Sequence, residues 1–198
     1  MHTAILTFDG YNELDSLIAL GILNRVADAR VSIAGPAPRV TSMNGVTIDA
    51  TIDLEEACTA DAVIIGSGRK TREVVEDPEI MAVLKGLDPE RQLLAAQCSG
   101  ALVLAKLGLL DDVPACTDTI TKPWVVAAGV EVLNQPFFAR DNLATAGGCL
   151  ASTYLATWTI ARLYGLQAAT EAMDYVAPVG EKDEYVTRAL RNVTPYLP

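Results

Sequence analysis

Histidine is almost missing from this 198-residue chain: the single one, His2, stands next to the first residue. A Ser-His or Cys-His pair for acyl transfer therefore lacks its proton carrier, which argues against peptidase and glutaminase activity. Paired cysteines are missing too. Cys58, Cys98, Cys116 and Cys149 lie far apart with no C-x-x-C among them, so neither a zinc knuckle nor a dense disulfide framework is expected. Basic residues are outnumbered, 15 Lys and Arg against 25 Asp and Glu, and a net charge of −10 offers no nucleic acid a basic face. No apolar run has membrane-spanning length, since Leu150–Leu163 is broken by Ser152, Thr153, Thr157 and Arg162. No signal-peptide pattern precedes the strand-like run at Ala4, and the expected location is the cytoplasm.

Hydrophobic residues make up 51% of the chain and charged ones only 20%, a composition for one compact domain over residues 1–198. Strand-like runs at Ala4–Phe8, Val31–Ala34, Ala62–Ile65, Leu93–Gln97, Val130–Leu133 and Leu143–Thr145 alternate with helical patterns. The helices fall after Asp9 (apolar at Leu14, Leu17, Ile18, Ile22 and Val26), at Pro78–Lys85 behind an Asp77 cap, and at Ser99–Leu107. Further ones are expected at Trp124–Ala128, Leu150–Tyr164, Gln167–Met173 and Glu184–Asn192. Asn44-Gly45 reads as a two-residue hairpin turn. The alternation predicts an α/β three-layer sandwich, a flavodoxin-like, mainly parallel sheet with helices on both faces. Ligands in such sheets sit beyond the carboxyl ends of the strands, where Asp9-Gly10, Gly66–Arg69 and Cys98 fall.

The densest signal is Leu93-Leu94-Ala95-Ala96-Gln97-Cys98-Ser99-Gly100, an apolar strand that stops at a cysteine and turns at once into a helix. This is the pattern of a nucleophile elbow. A cysteine there stands at a helix N-terminus, whose dipole and free N–H groups favour the thiolate and predict a pKa below the ordinary ~8.5. The competing reading is a buried cysteine that merely ends a strand.

These residues resemble the ThiJ/PfpI superfamily, whose core is the class I glutamine-amidotransferase-like fold. The likeness rests on Leu14-Asp15 in the first helix, the Gly66-Ser67-Gly68 turn, the Gln97-Cys98-Ser99-Gly100 elbow, and Asn142–Gly148 entering a long helix. Asp15 paired with the elbow cysteine is similar to the isonitrile hydratase branch. In the peptidase branch a histidine follows the nucleophile directly, where this chain has Ser99. Other branches carry a histidine about twenty residues on, where this chain has Thr117-Asp118.

The resemblance implies that Asp15 lies against the Cys98 sulfur and shares one proton with it, as general acid and base. Without it, Asp15 reads as a solvated acid at a helix start. Gly68 or Arg69, with Ser99, could supply N–H groups to an anion-stabilising hole, while Arg69–Arg72 otherwise reads as a solvated loop. Asp118 either caps the following segment or orients a substrate. Cys116 and Cys149 read as buried fillers, and Trp124 and Trp158 as core or dimer faces. The implied activity is cofactor-free and metal-free hydration of a small isonitrile to an N-substituted formamide by a homodimer. The alternative is a redox-responsive regulatory or chaperone-like protein whose elbow cysteine oxidises to a sulfinic acid.

Overall fold

The computed structural model describes every residue from Met1 to Pro198. The chain runs through β1 (His2–Leu6), α1 (Glu13–Leu23), β2 (Arg30–Ala34), β3 (Arg39–Thr41), β4 (Thr47–Asp49), α2 (Leu54–Ala57) and β5 (Ala62–Ile65). It continues with α3 (Thr71–Glu76), α4 (Pro78–Leu84), β6 (Leu93–Gln97), α5 (Gly100–Lys106), α6 (Lys122–Ala127), β7 (Phe137–Arg140) and β8 (Leu143–Ala146). A one-turn 3-10 segment at Cys149–Ala151 leads into α7 (Ser152–Tyr164), α8 (Leu166–Val176) and α9 (Lys182–Val193).

Six strands form one sheet in the order β2-β1-β5-β6-β8-β7, parallel except where β7 runs against β8. The parallel strands are apolar on both faces because helices cover both. Ala4, Leu6, Val63, Ile65 and Leu94 point into a core closed by α2 to α6. Their neighbours Ile5, Ile64, Leu93 and Ala95 point the other way, under α1, α7, α8 and α9. Trp158 is fully buried in this second core, 6.5 Å from the Phe137 ring. No helix is long and apolar enough to cross a membrane. The architecture is the expected three-layer α/β sandwich.

Several local expectations shift. Val130–Leu133 is no strand of the sheet: only Val132 bridges, to Ala115, and the edge place next to β8 goes to Phe137–Arg140. Antiparallel pairing needs only the short return at Asp141-Asn142, and Phe137 then fills the core beside Trp158. The hairpin closes with three loop residues, not two, because Ser42 N–H donates to Val46 O at 2.8 Å around Met43–Gly45. Helix α2, capped by the Asp53 side chain on Glu56 N–H, has too few residues to show a period. Arg69, Lys70 and Arg72 are exposed as a solvated segment requires, but Thr71 is buried and starts α3, so only Arg69-Lys70 is loop.

Candidate active site

Strand β6 delivers Cys98 to the carboxyl edge of the sheet, and the backbone there takes φ of 47°, a left-handed conformation that non-glycine residues seldom adopt. Two bonds hold it: Cys98 N–H donates to Ala146 O at 2.8 Å, and Thr117 Oγ1 donates to Cys98 O at 2.7 Å. The turn also needs Gly100, since a Cβ there would lie 2.4 Å from the Ile65 carbonyl oxygen. Strand, strained residue and bare glycine together make the elbow.

Asp15 arrives from the first turn of α1, which the Asn12 side chain caps by accepting Leu14 N–H at 3.1 Å. It is not solvated. Helix α7 covers it, Ser152 Oγ donates to its carbonyl at 3.0 Å, and its side chain is 0% exposed. The Ser67 hydroxyl donates to Oδ2, while Oδ1 has no partner within the chain. A carboxylate oxygen of Asp15, Cys98 Sγ and Cys149 Sγ all lie within 4.8 Å of one another. Each sulfur also accepts a side-chain amide N–H at 3.3 Å, Cys98 from Gln97 and Cys149 from Asn12.

The surroundings raise the Cys98 pKa rather than lower it. Burial is the main cause, and the Asp15 carboxylate adds to it, while the Gln97 amide opposes both. Cys98 is 4% exposed, so desolvation and a like charge outweigh the N-terminus of the seven-residue α5. The thiol therefore carries its proton at neutral pH, with Asp15 placed to receive it.

The expected anion hole changes in the same way. Gly68 N–H donates to Ser99 Oγ at 3.1 Å and Arg69 N–H to Gly10 O at 2.9 Å, so both are already engaged. The Ser99 N–H makes no bond within the chain and is a free donor beside Cys98. Ser99 Oγ meets Thr71 Oγ1 at 2.7 Å and ties the elbow to α3. Asp118 Oδ1 caps the next segment through Ile120 and Thr121 N–H, each at 2.9 Å, and Asp118 also lines the cleft.

The cleft holds about 380 Å³. Met43, Ile120 and Trp124 supply apolar wall, and Asp15, Cys98 and Cys149 lie on its floor. Trp124 is half-buried: it packs against the core, as expected, and also lines the cleft, with Arg72 5.0 Å from its ring. Cys116 is buried at 0% exposure with its thiol pushed up to about 12. His2 bonds Ser32 at 3.0 Å at the amino end of the parallel strands, the end opposite Cys98. In the sequence, Ser67 and Gln97 stand in the turn and elbow motifs without a role of their own, Cys149 reads as filler, and Asn12 is passed over. As a cap residue just ahead of Asp15, Asn12 carried a local signal that could have found it.

The DJ-1/PfpI family pattern matches residues 1–161. No curated protein matches the chain. Among solved structures, a ThiJ/PfpI family protein from Pseudomonas syringae superposes with a TM-score of 0.80 at 18% identity, over 98% of this chain and 87% of that one. Drosophila melanogaster DJ-1beta gives 0.77 at 22% identity, over 88% and 96%. Schizosaccharomyces pombe DJ-1 gives 0.68 at 19%, over 96% and 98%. At these identities the likeness concerns the fold. The elbow, the sheet order and the family pattern agree, and the chain belongs to the DJ-1/PfpI family.

Proposed function

We propose that the chain is an isonitrile hydratase-like enzyme with Cys98 as nucleophile and Asp15 as its proton carrier. The supporting observation is the buried Asp15 carboxylate against Cys98, on the same sheet edge where no imidazole stands. As Cys98 Sγ bonds to the terminal carbon of R–NC, its proton passes to Asp15 and from there to that carbon. The product is a thioimidate, R–N=CH–S–Cys98. Asp15 then takes a proton from water, whose oxygen adds to the same carbon. Asp15 hands that proton to nitrogen, and the C–S bond breaks as the new hydroxyl becomes the carbonyl and its proton goes to sulfur, which leaves R–NH–CHO and the free thiol. No amine leaves, so no imidazole is required. The Ser99 N–H is free to donate to the oxygen that builds up on the carbon.

Hydration changes no oxidation state and transfers no carried group, so the reaction calls for no organic cofactor. The apolar walls Met43, Ile120 and Trp124 suit a small uncharged substituent. The test is turnover of an alkyl isonitrile to its formamide by the purified protein, beside methylglyoxal and a simple amide as competitors. Formamide production that disappears in Cys98→Ala, with the melting temperature held within a few degrees, is the expected result. Activity retained in Cys98→Ala, or turnover of methylglyoxal or the amide alone, would rule the reading out.

A further inference from the structure

Cys149 has no part in the hydration chemistry, yet its sulfur lies within 4.8 Å of the nucleophile's and on the same cleft floor. We propose that Cys149 is a resolving cysteine: peroxide converts Cys98 to a sulfenic acid, and Cys149 closes a reversible Cys98–Cys149 disulfide before a second oxidation occurs. This regulation rests on the proposed reading only in taking Cys98 as the reactive thiol.

Three features place the pair for this chemistry. The Asp15 carboxylate sits against both sulfurs and keeps one oxygen without a partner, a ready acceptor for a thiol proton. Gln97 and Asn12 each donate an amide N–H to one sulfur and orient both toward the shared floor. Cys149 is only partly buried and opens a single 3-10 turn. The residue before it, Gly148, stands at φ of 90° with open space where a side chain would point. Closing the pair to the ~2.05 Å of a disulfide starts from sulfurs already within 4.8 Å, one of them on a one-turn segment ahead of α7.

In the first step Cys98 loses its proton to Asp15 while its sulfur takes one oxygen from hydrogen peroxide. The O–O bond breaks and water leaves. In the second, Cys149 sulfur attacks the sulfenic sulfur, the S–O bond breaks, and the hydroxyl leaves as water with the Cys149 proton. Two equivalents of a small thiol reverse the bond by exchange and become oxidised themselves. The other two cysteines are poorly placed. Cys116 is fully buried, and Cys58 faces Val83 O at 3.6 Å beneath α4.

The full-length protein is treated with an excess of hydrogen peroxide over thiol, enough for two oxygen transfers at one sulfur, and peptides are mapped by mass without reduction. The expected product is a Cys98–Cys149 linked peptide two hydrogens lighter, returned to free thiols by dithiothreitol. Cys149→Ser and Cys149→Ala, each first verified by thermal melting, should instead gain two oxygens on Cys98 that dithiothreitol does not remove. Sulfinic Cys98 with an alkylatable Cys149 in the unaltered protein would overturn the proposal, as would a disulfide to Cys58 or Cys116. Because the readout is a mass, it stands whether or not isonitriles are turned over. A protein that forms the bond but makes no formamide refutes the hydratase reading alone.

Discussion

Two oxygens of a buried carboxylate need donors, and Asp15 has one, the Ser67 hydroxyl, for the pair. A carboxylate oxygen of Asp15 also lies within 4.8 Å of the Cys98 sulfur. The thiol in turn holds its proton because it is desolvated and sits beside a negative charge. Alkylation of Cys98 by iodoacetamide should therefore still be accelerating above pH 9, well past the ~8.5 of an ordinary thiol. In Asp15→Asn the profile should move to lower pH, since the neighbouring charge is gone. A rate that plateaus below pH 8 in the unaltered protein would mean that the α5 N-terminus governs the sulfur after all. The direction of this shift was not legible in the sequence. Residue order places Asp15 at a helix start, but its burial comes from Ser152 and α7, 137 positions away.

At the scale of elements, the apolar runs that end at Ala34, Ile65 and Gln97 end strands in the structure as well, because fully buried parallel strands have few other readings. Edge and crossover pieces were harder. Phe137–Arg140 has only four residues and follows Pro136, and nothing within it distinguishes an edge strand from the Val130–Leu133 run before it. The elbow was legible in the sequence because three requirements coincide there: a strand end, a left-handed residue, and a side-chain-free residue under Ile65. That coincidence makes Gly100→Ala a sharp test. A methyl group 2.4 Å from a backbone carbonyl cannot be relieved by a rotamer, so the variant should lose about 1–3 kcal/mol by urea denaturation, and its elbow should shift. Cys98 alkylation should change along with stability. Unchanged stability would mean that α5 does not press on β5 as described.

Across the whole molecule, burial of thiols produces a pH dependence of stability. Cys58, Cys98 and Cys116 all hold their protons more tightly in the folded chain than an exposed thiol does. The unfolded chain therefore ionises first. Stability is full below the ordinary thiol pKa of ~8.5 and falls as pH rises toward the folded values, by at most about 1.4 kcal/mol per pH unit for each thiol. Urea midpoints should be level between pH 7 and 8 and fall between pH 9 and 10, less steeply in Cys98→Ala. A midpoint that rises over that interval would contradict the burial assigned to these groups. At the same scale the sheet explains the site. Parallel strands carry Asp15, Ser67, Cys98 and Cys149 to one edge, and the lone histidine lies at the other.

The pairing of Asp15 with Cys98 is tested most directly by mass spectrometry of Asp15→Asn mixed with an alkyl isonitrile. Asparagine keeps the shape but carries no transferable proton. The more readily ionised thiol should still attack and take a proton slowly from solvent, while hydrolysis of the thioimidate, which needs a base to deprotonate water, stalls. Turnover should fall roughly a hundred- to ten-thousand-fold, and Cys98 should gain the full mass of the isonitrile. Formamide made at the unaltered rate, with Cys98 free of adduct, would show that Asp15 moves no proton and that another group does.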